Sequence, residues 1–248
     1  MFGALFRNLP SVVKNLVIIN GLFFLATIVL QRPQIDLDLH QLLGMYYPSS
    51  PNFRPYQIAT HFFMHANFMH IFFNMFALIV FGAHLERMWG PKRFLIFYFA
   101  TAMGAALLHF AVEGVEIYQI TGEIFPHADY AYWVITDHVN GMGYIEIEPR
   151  SLQPIGRYYA SPTLGASGAV YGLIAAFAML FPNTQLMLLF PPIPIKAKWL
   201  ALALAALALY QGYANAAGDS VAHFAHLGGM LFGFIIVKIW QRNKNHFY

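Results

Sequence analysis

Stretches free of Asp, Glu, Lys and Arg recur six times along the chain, over residues 15–31, 55–85, 94–112, 158–195, 199–218 and 220–237. A helix needs about 20 apolar residues to cross a hydrocarbon core of about 30 Å, so each stretch can supply one crossing. The fourth is too long for a single helix. Pro182, Pro191, Pro192 and Pro194 close it, which predicts a span over 163–181 followed by a short proline-rich turn. The second is overlong at its front, and counting about 20 residues back from Glu86 places its membrane entry near Ala66, with His61 and His65 in the outer interface. The pattern predicts an all-α, polytopic membrane protein: six transmembrane helices in a single domain over residues 1–248.

Composition agrees. The chain is 58% hydrophobic and 10% charged, against about 25% charged for an ordinary soluble domain. Its 14 basic and 11 acidic residues cannot coat a water-soluble fold of 248 residues that also carries 24 Phe and 14 Tyr. A soluble nucleic-acid binder is excluded, since the net charge is only +3. The absence of cysteine removes disulfides, thiolate catalysis and Cys-type zinc sites.

Orientation follows from the flanks. With loops assigned alternately to two sides, one side collects Arg7, Lys14, Arg87, Lys92, Arg93, Lys196, Lys198, Lys238, Arg242 and Lys244, the other only Arg32, Arg54, Arg150 and Arg157. The positive-inside rule then puts both termini in the cytoplasm. The first apolar run is followed by no small-residue cleavage site, so it is expected to remain as an anchor, and a bacterial-type inner membrane is the simplest setting. Two outer segments remain. Residues 32–65, with Pro33, Pro48, Pro51 and Pro55 among Leu37, Leu39, Leu42, Leu43, Met45, Tyr46 and Tyr47, are expected to lie in the bilayer interface. Residues 113–162 carry seven acids and two arginines and are assigned no role.

Polar side chains at membrane depth are costly unless they pair or line a cavity. Four stand out: His70 and Asn74 in span two, Ser167 in span four and His226 in span six. These spans all run from outside to inside. Counted from Ala66, Thr163 and Val221, His70, Ser167 and His226 each fall about 6 to 8 Å below the outer boundary. Asn74 lies one turn below His70 on the same face. Three helices thus bring the parts of an acyl-transfer site to one level. Ser167 would be the nucleophile and neutral His226 its base, while His70, Asn74 and the Ser167 N–H would form an oxyanion hole. Gly165, Gly168 and Gly172 surround Ser167, and Gly229 and Gly233 follow His226, which would let the two helices approach closely.

These residues resemble the signatures of the rhomboid intramembrane serine proteases. His61-Phe62-Phe63-Met64-His65 with Met69-His70-Ile71-Phe72-Phe73-Asn74 is similar to the family's second-span signature. Gly165-Ala166-Ser167-Gly168 with Tyr171 is similar to its nucleophile motif, and Ala225-His226-Leu227-Gly228-Gly229 to its A-H-x-x-G motif. The resemblance implies a rhomboid-like bundle that cleaves single-span or polytopic membrane proteins near small or helix-breaking residues. It implies a Ser167–His226 dyad without an acidic third member, needing no cofactor or metal. It implies further that Tyr171 packs on the His226 ring and that Glu86 organises the inner end of span two. The first outer loop lacks the family's Trp-Arg pair, and the segment before Ser167 is longer than in compact bacterial members.

Blander roles compete. Ser167 between glycines could serve only close helix packing, and a catalytically silent protein that binds membrane clients would share the fold. A transporter is disfavoured because no span carries a charged residue. His61 and His65 have i, i+4 metal-ligand spacing but lack the glutamate of H-E-x-x-H, so hydrogen bonds tying the outer loop are expected instead. His84, His109 and His223 are expected at interfaces.

Overall fold

The computed structural model describes residues 7–32, 35, 37–126, 158–159, 161–188, 191–214 and 222–242. Its packing divides the chain into two units: residues 1–22, 67–109 and 166–248 form the first, and 23–66 with 110–165 the second. Helices α1 (Ser11–Leu30) and α6 (Pro91–Thr121) contribute to both. Apart from one short hairpin and an isolated bridge, the regular structure of the described residues is helical.

In the first unit, α4 (Phe68–Ala77) runs through a π-helical turn (Leu78–Gly82) into α5 (Ala83–Trp89). Asn67 caps its start, its side chain accepting from the His70 N–H at 2.9 Å. Gly90, at φ 78°, ends it in the left-handed region that glycine enters without steric cost. Buried Glu86 points back to the start of α1, where its carboxylate accepts from the N–H groups of Val12 (2.9 Å) and Val13 (2.8 Å) and from Ser11 Oγ (3.3 Å). A helix N-terminus offers unpaired donors and a positive dipole end, so this carboxylate is matched where it would otherwise be costly.

Helix α7 (Ser167–Leu180) is the centre of this unit, its own Gly, Ala, Val, Leu, Ile and Phe residues buried on nearly every side. It packs against α8 (Ala197–Ala214) and α9 (His223–Arg242). A strand pair, β1 (Gln185–Met187) and β2 (Pro194–Lys196), joins α7 to α8 in antiparallel register with Gln185 opposite Lys196. The proline-rich turn is therefore a hairpin. Among the described residues four helices are long and apolar enough to cross a membrane: Ser11–Leu30, Phe68–Trp89, Pro91–Thr121 and His223–Arg242. Ser167–Leu180 is apolar but shorter.

Two helix ends differ from the sequence expectation. α6 continues past Val112 to Thr121, because Glu113 and Glu116 end the apolar stretch without opposing helical backbone. α7 begins at Ser167 and not near Thr163; Thr163 instead exchanges backbone hydrogen bonds with Met45 at 3.0 and 2.8 Å. A depth for Ser167 counted along a helix from Thr163 thus has no helix to run along.

The second unit contains α2 (Leu39–Leu43) and α3 (Gln57–Thr60), the latter passing into a 3-10 turn at His61–Phe63. Met45, Tyr46 and Tyr47 were expected on the bilayer surface, but protein buries all three to 2% exposure or less. For Tyr47 a polar tip allows this, since an amphipathic ring can be buried if its hydroxyl finds a partner. Tyr47 Oη donates to the Ile124 carbonyl at 2.8 Å, Ser49 Oγ and Tyr159 Oη are 2.7 Å apart, and Tyr158 Oη donates to Glu116. Tyr47, Ile117, Tyr158 and Tyr159 form this unit's core with Phe110 against it. His61 Nδ1 lies 2.7 Å from the Gln57 carbonyl and His40 Nε2 lies 3.0 Å from the His65 carbonyl, hydrogen bonds of the loop-tying kind.

Candidate active site

The site lies where two helices begin. Ser167 is the first residue of α7 and His226 belongs to the first turn of α9. Gly165, two residues before Ser167, adopts φ 119°, a backbone that side-chain residues rarely reach. His226 Nε2 and Ser167 Oγ are 3.0 Å apart. With Nδ1 carrying the imidazole proton, the hydroxyl donates to Nε2, the arrangement in which the ring can take that proton as the oxygen attacks. Among the described residues no carboxylate hydrogen-bonds His226.

Glycines set this distance. A Cβ added to Gly229 would overlap the Gly168 carbonyl oxygen, and one added to Gly233 would sit 2.8 Å from the Gly172 oxygen. Two GxxxG pairs therefore bring α7 and α9 together backbone to backbone, since packing and not hydrophobic exclusion drives helix association in lipid. α6 closes in from another side: a Cβ on Gly172 would meet Thr101 Cβ at 2.7 Å, and one on Gly228 would meet Ala105 Cα at 2.9 Å.

Tyr171, one turn beyond Ser167, lies flat on His226, with ring centroids 4.1 Å apart and planes 4° from parallel. The stack fixes the plane in which Nε2 faces Oγ. His223 approaches almost perpendicularly, at 6.1 Å between centroids. His223, His70 and His109 all lie within electrostatic reach of His226. His109 and His223 were read from the sequence only as interfacial. The spacing of His223 three residues before His226, on one helical face, was the available signal.

His70 and Asn74 sit one turn apart on α4, which packs against α7. Asn74 is buried, and its Nδ2 donates to the His70 carbonyl at 2.8 Å. An amide nitrogen has two hydrogens, so one remains to donate elsewhere. No hydrogen bond joins Asn74 to Ser167 or His226 among the described residues. At the start of α7 the first helical bond runs from Val170 N to Ala166 O at 3.0 Å. The helix therefore supplies no acceptor for the N–H groups of Ser167, Gly168 and Ala169. Together these groups can supply a nucleophile, a base and donors for an oxyanion.

A family model described as the Rhomboid domain matches residues 52–243. The chain is 26% identical over 233 residues to Rhomboid-like protein 16, chloroplastic, of Arabidopsis thaliana, covering 94% of this chain and 62% of the relative. It is 29% identical over 191 residues to Rhomboid protein 1, mitochondrial, of Saccharomyces cerevisiae, covering 73% and 42%. It is 28% identical over 183 residues to Rhomboid protease AarA of Providencia stuartii, covering 70% and 51%. The chain thus spans less than two thirds of the length of each of these relatives.

Proposed function

The chain belongs to the rhomboid family and is an integral membrane protein, and we propose that it is an intramembrane serine endopeptidase working through Ser167 and His226. The observation that carries the reading is the 3.0 Å approach of Nε2 to Oγ. Ser167 Oγ attacks the carbonyl carbon of a substrate peptide while its proton passes to His226 Nε2. The resulting oxyanion is held by the Ser167 N–H with His70 and Asn74 as side-chain donors. Collapse breaks the C–N bond, His226 returns the proton to the leaving amine, and a water activated by the same ring hydrolyses the acyl-enzyme. Ser167 and His226 are both partly exposed, so substrate and water have access.

The proposed substrates are single-span or polytopic membrane proteins, and the name of the Providencia stuartii relative, a protease, supports proteolysis as the activity. The proposed architecture is a single rhomboid-like membrane domain of six spans with both termini cytoplasmic, and residues 32–65 and 113–162 are assigned to the outer side, of which 127–157 lie outside the described residues. A bacterial-type inner membrane is the proposed host. Cleavage of a generic single-span protein in proteoliposomes tests the reading: wild type cuts, and Ser167→Ala and His226→Ala do not. Cleavage that survives both substitutions would overturn it, as would a wild type inert on several substrates.

A further inference from the structure

One end of the first unit carries a surface that the protease reading does not use. Contacts assemble that end: Glu86 caps α1, Trp89 of α5 lies 4.9 Å from Phe97 of α6 and 5.2 Å from Trp240 of α9, and Phe177 near the end of α7 lies 5.2 Å from Phe81. Every described lysine and arginine of this unit belongs to its segments at or next to this end. Glu86 is the only described acid of the unit, and it is buried and engaged by α1. Among the described residues this end is therefore rich in positive charge.

The β1–β2 hairpin projects from this end on a firm base. Ala197 N donates to Thr184 O at 2.9 Å and Lys198 N to Pro182 O at 3.2 Å, while Leu188 N donates to Ile193 O at 3.1 Å. What it displays is mixed in a particular way. Met187 is 64% exposed, Ile193 54% and Trp199, just beyond, 55%. Lys196 is exposed opposite Gln185, and Lys198 Nζ lies 5.4 Å from the centre of the Trp199 ring. Three large apolar side chains are thus exposed on or next to one short hairpin, a display that water does not favour. At a membrane surface the same set is favourable, with apolar groups in the acyl boundary, ammonium groups among the headgroups and a tryptophan at the junction.

The depth agrees. At about 1.5 Å per residue the fourteen residues of α7 span about 21 Å. Phe177, in the last turn of α7, lies beside Phe81 and His84, which stand about 20 to 24 Å along the Phe68–Trp89 span, so α7 ends close to the far side of a core about 30 Å thick. The hairpin therefore leaves the helix where hydrocarbon gives way to headgroups.

We propose that the β1–β2 hairpin is an interfacial anchor in the inner leaflet, inserting the exposed Met187, Ile193 and Trp199 and holding anionic phospholipid headgroups through Lys196 and Lys198. The proposal rests on the orientation given above. Its chemistry is charge complementarity: a Lys near an anionic surface favours it by about fivefold, so the pair gives about 30-fold.

Because the chain has no cysteine, Ile193→Cys gives a unique site for a nitroxide label, with Met187→Cys as a second position should the first perturb the fold. The full-length labelled protein is placed in nanodiscs of phosphatidylglycerol or phosphatidylcholine, and label depth is read from collision with oxygen against a water-soluble nickel chelate. The expected result is a label immersed in phosphatidylglycerol, with an immersed-to-exposed ratio about 30-fold above that in phosphatidylcholine. Lys196→Gln with Lys198→Gln should remove that difference. A label exposed to nickel in both lipids overturns the anchor, and equal immersion in both overturns the headgroup contact. Labelling of the cysteine by an impermeant thiol reagent from the outer side of proteoliposomes overturns the leaflet assignment. Depth needs no catalysis, so an inert protein with an immersed label counts against the protease reading alone, and an active protein with a water-exposed label counts against the anchor alone.

Discussion

Gly168 and Gly229 meet backbone to backbone, with no room for even a methyl group between them. Ser167 precedes the first and His226 stands one turn before the second, so this crossing fixes how far a hydroxyl on one helix is from an imidazole on the other.

Substituting Gly229→Ala should therefore force α7 and α9 apart. Overpacking of this kind costs about 1 to 3 kcal/mol, and activity should fall more steeply than stability because the Oγ–Nε2 hydrogen bond is lost. Gly21→Ala is the control: an added Cβ there meets nothing within 4 Å, and alanine suits a helix better than glycine. Equilibrium unfolding in bilayers, with cleavage assayed beside it, separates the two variants. Unchanged activity in Gly229→Ala would mean that the close crossing does not set the geometry.

The Tyr171 ring, stacked on His226 at 4.1 Å, should act by its face and not by its hydroxyl. Tyr171→Phe is expected to keep nearly full activity. Tyr171→Ala should lose the ring contact, worth about 0.5 to 1.5 kcal/mol, and lower kcat by about two- to tenfold with little change in KM. Equal loss in both variants would point to the hydroxyl instead.

The candidates are legible in the sequence, because a serine, a histidine and an asparagine at one depth in three apolar stretches are costly there unless they pair or line a cavity. The matched glycine spacings on either side are equally visible. Helix ends are less so. Apolar stretches mark where lipid stops and not where the backbone changes, so α6 runs on through Glu113 and Glu116. The tyrosine core of the second unit has no sequence signature, since Tyr47 satisfies its hydroxyl on a backbone carbonyl 77 residues away, a partner that no side-chain pattern encodes.

The side chain of Asn74, with one amide hydrogen already given to the His70 carbonyl at 2.8 Å, should contribute through the other. Asn74→Ala is expected to cut kcat by about 10² to 10³, as for removal of a single oxyanion donor, with KM nearly unchanged. Steady-state kinetics on a protein verified as folded provides the check. A rise in KM at constant kcat would assign Asn74 to substrate binding.

The hydroxyl of Tyr47 should make the second unit sensitive to alkali. Burial, then the Glu113 carboxylate and Tyr159, push it up to about 12, while an unfolded chain releases the same proton near 10. The folded state thus holds this proton to higher pH, so its contribution is complete below about pH 10 and is lost as pH rises toward 12. Unfolding measured across that window should show wild type losing more stability than Tyr47→Phe. Parallel losses would place the sensitivity elsewhere.

The most direct test of the central claim is the site and rate of modification by a fluorophosphonate on protein held in a bilayer, read by mass spectrometry of its peptides. A serine activated by its histidine should carry the adduct on Ser167, and His226→Ala should abolish the modification while Gly21→Ala leaves it unchanged. An unmodified Ser167 in wild type, or equal labelling in His226→Ala, would contradict the Ser167–His226 pair as a working nucleophile and base.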